Sequence, residues 1–454
     1  MTDLDVAVVG AGAAGLAAAH ALTKAGRSVH VFEAANEVGG RMRTLRRDGY
    51  LIDEGAEMIS ARGYDETWRL IRETGVPNEE ITRVAGPLAL WRDGRAHPHL
   101  AHPRGLLTGA GLSLRGRVGL VRLTASLRPA SAFDPDRPES TPLGTSTLAG
   151  LAARYRPELR DYLLAPMAEA FFGWDPARSA AAPFAAHLAT TGTARDWRTY
   201  RGGMDELPRR LASRLAVSTG TAVREVVSEA GQARIDTGDA VLTARSIVLA
   251  VPAPAALAMH VNAPEAARPY LAACKFVPRL RVSCLTSRPL QFPSGPPLYI
   301  ALLPAQEGSD LVTLNLEHNK CAGRAPTGRG LVTMLASRAA TGNLIEAPDG
   351  EIITTCVGQA ERYLPGLRAA TEAAVVRRFR HGMPEATPAA LALRGEFARR
   401  PAGVVEYAGD WLLLRPCSEG AFRSGSIAAQ RVLAADAGVS VGKGASGSAA
   451  RGHR

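Results

Sequence analysis

A short apolar run, Val6-Ala-Val-Val9, is followed at once by Gly10-Ala-Gly12-Ala-Ala-Gly15. No other feature constrains the chain as much. The run is rich in β-branched residues and bounded by glycine, which predicts a buried parallel strand. Leu16 to Lys24 is alanine-rich and is stopped by Gly26, which predicts a helix. A second strand is expected over Ser28 to Phe32, ending in Glu33. Strand, glycine turn, helix and strand in this order form a dinucleotide-binding fingerprint. Gly10 permits the tight turn. Gly12, with Ala14 in the same turn, lets a pyrophosphate approach the backbone, and Gly15 lets the helix pack close to the strand. The helix N-terminus offers free N–H groups and a partial positive charge. Glu33, 23 residues after Gly10, can accept hydrogen bonds from adenosine ribose hydroxyls.

At 454 residues the chain can bury a large core and enclose a cofactor. At about 150 residues per domain, two or three domains are expected. Hydrophobic residues make up 46% and charged residues 21%, a globular rather than a disordered balance. The net charge of +11 raises nucleic acid, an anionic membrane surface or an acidic ligand as partners. The arginines are dispersed: Arg41, Arg43, Arg46 and Arg47; Arg115, Arg117, Arg122 and Arg128; Arg377, Arg378 and Arg380. None is interleaved with aromatics in an RNA-binding pattern, so no nucleic acid partner is expected. Solvated surface arginine is the expectation, and a peripheral contact with anionic lipid stays open. No apolar stretch reaches the roughly 20 residues that span a bilayer. The longest candidate, Ile247 to Val261, is interrupted by Pro252 and Pro254. Met1 to Asp5 carry two acids and no basic region, so no signal peptide is expected. Cys274, Cys284, Cys321, Cys356 and Cys417 make no CxxC and read as reduced cytoplasmic thiols. The Gly/Ser/Ala-rich tail, Gly438 to Arg454, is expected to be disordered.

The fingerprint alone does not choose between NAD and FAD. Beyond the second strand comes Asn36-Glu-Val-Gly-Gly-Arg-Met-Arg43, in which Gly39 and Gly40 allow close backbone approach and Arg41 can neutralise a pyrophosphate. Five more segments follow in order: Asp53-Glu-Gly-Ala-Glu-Met58, Arg201-Gly-Gly-Met-Asp-Glu-Leu207, Thr221-Ala-Val-Arg-Glu-Val-Val227, Ala244 to Pro252, and Tyr407-Ala-Gly-Asp410 with Ser418-Glu-Gly-Ala421. In these segments the sequence resembles the flavin amine oxidase superfamily, which includes monoamine and polyamine oxidases, protoporphyrinogen oxidases and phytoene desaturases. The resemblance spans roughly residues 4 to 435. It implies an α/β fold: a discontinuous Rossmann-like FAD-binding domain with a second, α+β substrate domain. The FAD domain would take residues 1–76, 201–261 and 402–437, the substrate domain 77–200 and 262–401, and the tail 438–454. It further implies that Gly55 and Ala56 lie against the flavin and that Val223 meets the adenine through its backbone. Gly409 and Asp410 would meet the ribityl chain or phosphate. Glu419, Gly420 and Ala421 would open a helix aimed at the flavin N1/C2=O edge, where reduced flavin carries negative charge. Monoamine oxidases attach flavin through a cysteine shortly before this last motif. None lies between Cys356 and Cys417, so the FAD is expected to be non-covalent.

The segments between these motifs should decide the substrate. Leu143 to Ala168 reads as helical, and Leu298 to Leu303, Leu311 to Leu316 and Leu331 to Ala336 read as strands. Pro166 to Pro176, Leu90 to Arg95, His102 to Arg104 and Arg380 to Pro384 resemble the protoporphyrinogen oxidase pattern more than the monoamine oxidase one. Two departures bear on the substrate. Gly86 to Trp91 lacks the basic residue that the porphyrinogen enzymes place there, and Cys417 stands where monoamine oxidases carry a cage tyrosine. Where the family has a lysine near flavin N5, an ungapped comparison puts Arg281. Candidate catalytic residues are Arg281, Cys417, Glu57 and His381; Cys417 reads first as a small buried hydrophobe and Glu57 first as a structural residue, and His381 reads as a base in the pocket or as an ordinary loop residue. His97, His99 and His102 read as a surface loop rather than a metal site. The expected activity is dehydrogenation of a C–C or C–N bond in a bulky, apolar or polycyclic small molecule, with hydride passing to flavin N5 and oxygen or a quinone as acceptor. The alternatives are amine or amino-acid oxidation, a redox-neutral flavin isomerase, and a binding protein that retains the fold. The oligomeric state is left open.

Overall fold

The computed structural model describes residues 3–293 and 295–445. Strand β1 (Leu4–Val9) is apolar throughout its second half because both of its faces are covered, as parallel strands require. Val6 and Val8 pack with Leu16 and Ala17, while Ala7 and Val9 pack into a second cluster on the opposite face. In the seven-stranded sheet around it, β1 pairs in parallel with β2 (Val29–Phe32) on one side and with Val241–Leu249 on the other. Ala216–Ser218 extends the sheet beyond β2. Val405–Tyr407 pairs in parallel with Val241–Leu249, and an antiparallel hairpin, Glu225–Glu229 with Gln232–Asp236, completes the sheet.

Helix α1 (Ala13–Lys24) buries its alanines. Its thin face admits the last helix, Ser418–Ala445, at very short range: a Cβ on Gly425 would lie 2.1 Å from the Ala14 carbonyl oxygen. Glycine here is a matter of contact distance rather than backbone freedom.

A second seven-stranded sheet runs in the order Thr371–Glu385, Lys275–Thr286, Gly330–Ala336, Leu311–Leu316, Ile300–Leu302, Leu88–Arg92, Arg95–Pro98. It is antiparallel except between Ile300–Leu302 and Leu88–Arg92. A small three-stranded sheet, Ile59–Ser60, Trp197–Tyr200 and Ile81–Arg83, lies off both large sheets.

Four details differ from the sequence reading. Leu143 to Ala168 is not one helix. Thr147 caps a short helix, Leu148–Ala152, and Arg156 is extended before Pro157 restarts the chain as helix, because a residue preceding proline disfavours the α conformation. Thr221 to Val227, a strand throughout by its resemblance, is irregular as far as Arg224 and extended only from Glu225, since the Thr221 and Arg224 N–H groups are drawn to the carbonyls of Glu33 and Asp236. His97 and Pro98 form part of an edge strand, the one place in a sheet that tolerates proline, rather than a surface loop. The final helix continues to Ala445, into the segment expected to be disordered; the remainder of that tail lies outside the described residues. Among the described residues, no helix is long and apolar enough to cross a membrane.

Gly425→Val is expected to force α1 from the last helix. Overpacking of this kind costs about 1–3 kcal/mol. Chemical unfolding of the flavin-loaded protein checks it, with loss of flavin accompanying the loss of stability.

Candidate cofactor and active site

The turn after β1 is built from glycines with separate tasks. Gly10 has φ +102°, and a Cβ there would meet the Ala250 carbonyl oxygen at 2.7 Å. A Cβ on Gly15 would lie 1.9 Å from the Gly10 oxygen, so the helix sits directly on the turn. Around Gly12 a Cβ would meet nothing within 4 Å. Gly12 caps α1 without a side-chain hydrogen bond, so first-turn N–H groups of Ala13, Ala14 and Gly15 face open space rather than a protein acceptor. This is the cradle a pyrophosphate needs, and a dinucleotide fits it. Gly39 bridges to Gly12, and a Cβ on Gly40 would stand 3.3 Å from the Gly12 Cα, so the second glycine turn closes against the first.

The Glu33 carboxylate accepts from the Ala11 N–H at 2.7 Å and from the Ala35 N–H at 2.9 Å. It thereby ties the end of β2 to the glycine turn, and its remaining lone pairs stay available to a ribose. Val223 is buried in the irregular stretch that follows the Thr221 contact with Glu33. Ala56 donates its N–H to the Arg41 carbonyl at 2.8 Å, and a Cβ on Gly55 would lie 2.3 Å from that same oxygen. The Gly55-Ala56 segment thus rests on the Gly-Gly-Arg turn.

Arg41 and Asp410, expected separately at the cofactor, face each other. Two parallel hydrogen bonds of 2.8 Å join them in a fork, and Arg41 also donates to the Gly382 carbonyl at 2.9 Å. Asp410 is buried and Arg41 half-buried. Gly409 donates its N–H to Ser424 of the last helix at 2.8 Å. Gly420 lies under the Arg415 carbonyl, and Ala421 is buried at the first turn of that helix.

The Glu419 side chain does not point to a flavin edge. Its carboxylate accepts from the N–H groups of Glu66 and Thr67 and from the Thr67 hydroxyl, at 2.6–3.0 Å. It caps the helix Asp65–Thr74 from across the fold. Burial raises its pKa, against the pull of Thr67 and Arg415. Only the backbone of Glu419 is therefore left for a cofactor.

Two of the four catalytic candidates meet. The Glu57 carboxylate receives Arg281 at 2.6 Å, Asn315 Nδ2 at 2.6 Å and the Tyr299 hydroxyl at 2.8 Å. Arg281 is buried, and it also reaches Glu317 and the Gly55 carbonyl, both at 3.2 Å. Cys417 lies apart from this cluster, beside Tyr64 and Arg415, and burial pushes its thiol up, away from the reactive thiolate. His381 is exposed on the strand Thr371–Glu385, its ring edge-on to Phe276. The structure does not bring it to Glu57, because its strand turns that position outward.

Sequence reasoning missed the ionic core behind the cluster. Asp53 accepts from Lys320 Nζ and from Arg324 Nη1, both at 2.7 Å, from the Thr44 hydroxyl at 2.7 Å and from the Met204 N–H at 2.9 Å. All three charged side chains have no exposed surface. Burial drives the Asp53 carboxyl up, but Arg324 and Lys320 overcome it and hold the pKa well below the usual carboxylate range. One signal was present: Lys320 is one of only four lysines in an arginine-dominated chain.

The sequence pattern of the family described as flavin containing amine oxidoreductase matches residues 13–433. The chain belongs to that family. The family consists of flavin-dependent oxidoreductases, and the cofactor is FAD. Relatives include a putative flavin-containing monoamine oxidase, AofH, of Mycobacterium tuberculosis, 40% identical over 23% of this chain and 23% of that protein. Coproporphyrinogen III oxidase of Staphylococcus aureus is 26% identical over 38% of this chain and 37% of that protein. The matched stretches thus span well under half of these relatives. In structure, a triple mutant of putrescine oxidase superposes with a TM-score of 0.78 at 20% identity, covering 95% of this chain and 99% of that one; the likeness is one of fold.

Two outcomes are expected. Glu33→Ala removes two hydrogen bonds made by a charged acceptor, each worth about 1.5–3 kcal/mol, and should lower the flavin-to-protein ratio after gel filtration at least roughly tenfold. Asp53→Asn leaves Lys320 and Arg324 buried without their carboxylate and should destabilise the fold by about 3–5 kcal/mol. Because the Asp53 pKa is depressed, its stabilisation is fully present above the ordinary carboxylate range and is lost as pH falls below about 4. Unfolding curves of the two proteins should therefore converge toward acid pH.

Proposed function

We propose that this flavin amine oxidoreductase dehydrogenates a C–C or C–N single bond in a bulky, largely apolar small molecule. When bound, FAD supplies the hydride acceptor at N5. The observation that carries the reading is the state of Glu57. Three donors within 2.6–2.8 Å already occupy its carboxylate, so it is not free to pair with a substrate ammonium. Apolar side chains stand on the adjoining elements: Met58 follows Glu57 in the chain, and Trp197, on the strand whose Thr199 hydroxyl donates to the Glu57 carbonyl at 3.4 Å, is half-buried with its ring 5.7 Å from that of Phe171. A hydride transfer asks of the protein mainly that the substrate be oriented and water excluded, which apolar side chains can do. Arg281, fixed by Glu57 and Glu317, holds the Gly55 carbonyl and so keeps the Gly55-Ala56 segment in place.

A second reading, oxidation of an amine, is supported by the likeness to the monoamine oxidase relative AofH. Anaerobic titration read by flavin bleaching separates the two. Polycyclic or long-chain apolar donors are expected to bleach the flavin, and aliphatic amines are not. Ammonia and peroxide release from amines would overturn the reading. Glu57→Gln removes the charge that pins Arg281, a loss of about 1.5–3 kcal/mol. It should slow substrate-dependent bleaching roughly tenfold or more while the protein stays yellow.

A further inference from the structure

From Gly94 to Phe133 the chain contains six arginines and no carboxylate. Within it, helix Leu114–Ser126 presents two apolar faces. Gly116 and Leu123 are buried toward the protein. Leu114, Val118, Val121 and Ala125, spaced i, i+4, i+7 and i+11, form one stripe that faces solvent. Leu114 is 69% exposed. Arg115 and Arg122 flank the stripe on one side and Arg117 on the other. Arg117 donates to the carbonyls of Leu106 and Leu107 at 2.7 and 3.3 Å, and so holds a second apolar element, the turn Gly105–Thr108, beside the stripe. Leu107 there is 85% exposed. Among the described residues, five of the seven exposed large apolar side chains fall in this one segment.

A basic cleft adjoins it. Pro103, at the foot of the Leu106-Leu107 turn, lines a cleft of about 500 Å³ together with Arg62, Arg83, Arg195 and Arg198. Arg83 and Arg198 are direct cross-strand partners, an arrangement of like charges that is unfavourable without an anion. Asp196, the single acid in the lining, is already used by the Thr193 N–H and hydroxyl. The acid nearest the helix start, Glu158, is likewise taken by Arg92 and Ser113.

We propose that this face seats the protein on an anionic lipid bilayer. The leucines and valines enter the headgroup–acyl boundary, the flanking arginines extend along it, and the four-arginine cleft takes lipid phosphate. The contact is interfacial, since no described helix can span a bilayer. The proposal is independent of the substrate reading: it concerns a different surface, and an unbleached flavin would not bear on it.

The test is vesicle co-sedimentation of the full, flavin-loaded chain. Binding to phosphatidylcholine vesicles containing about one third phosphatidylglycerol is expected to exceed binding to phosphatidylcholine alone roughly tenfold or more, and to weaken in high salt. Leu107→Glu with Val118→Glu should lower that binding about tenfold or more, with flavin absorbance and unfolding unchanged because both sites are on the surface. Arg83→Gln with Arg198→Gln should remove most of the preference for the anionic vesicles. The proposal is overturned if no vesicle sediments the protein, or if the Leu107/Val118 variant binds as the wild type does. It is also overturned if that variant changes the mass in light scattering without any vesicle binding, which would make the face a contact between copies of this chain.

Discussion

Asp53 is the point through which the second large sheet is joined to two small ones. A carboxylate without exposed surface is tolerated only when cations and N–H donors replace its lost water, and here Lys320 and Arg324 do so. Arg324 continues the link, donating to the Thr199 hydroxyl and to the Tyr200 carbonyl. One carboxylate therefore ties the hairpin of Tyr50–Asp53 to the loop after Leu311–Leu316 and to the strand Trp197–Tyr200. Removing any one member leaves the others charged and dry, so the junction forms as a unit.

The cluster of Glu57 and Arg281 is an extension of that junction. Glu317 lies near Lys320 and hydrogen-bonds to Arg281, which reaches Glu57 and the backbone of Gly55. Burial raises the Glu317 pKa, against the pull of Lys320 and Arg281. Arg281 is thus held by carboxylates on two sides. The charges of this network are thus paired with one another inside the protein.

How much could be read from the chain depended on how local the physics is. The α/β class was legible because Gly10, Gly12 and Gly15 sit in one turn between a strand and a helix, and the flavin family because further short motifs follow in order along the chain. The partnership of Arg41 with Asp410 was not, because 369 positions separate them and nothing near either one names the other. The same is true of Asp53 and Lys320, separated by 267 positions. Glu419 shows a third kind of gap: its position in a helix-opening motif suggested the cofactor, but the free N–H groups of another helix claimed its side chain. Leu143 to Ala168 failed for a local reason, Pro157, that the periodicity hid.

The contact between α1 and the last helix has a consequence for the order of events during synthesis. Translation delivers β1, the glycine turn and α1 first, whereas the glycine that α1 packs against is residue 425. Until that residue has left the ribosome, the alanine face of α1 has no cover and Asp410 is not yet beside Arg41. The nascent chain therefore carries α1 without this partner until residue 425 has been made, and the close packing of the two helices is a late event in folding rather than an early one.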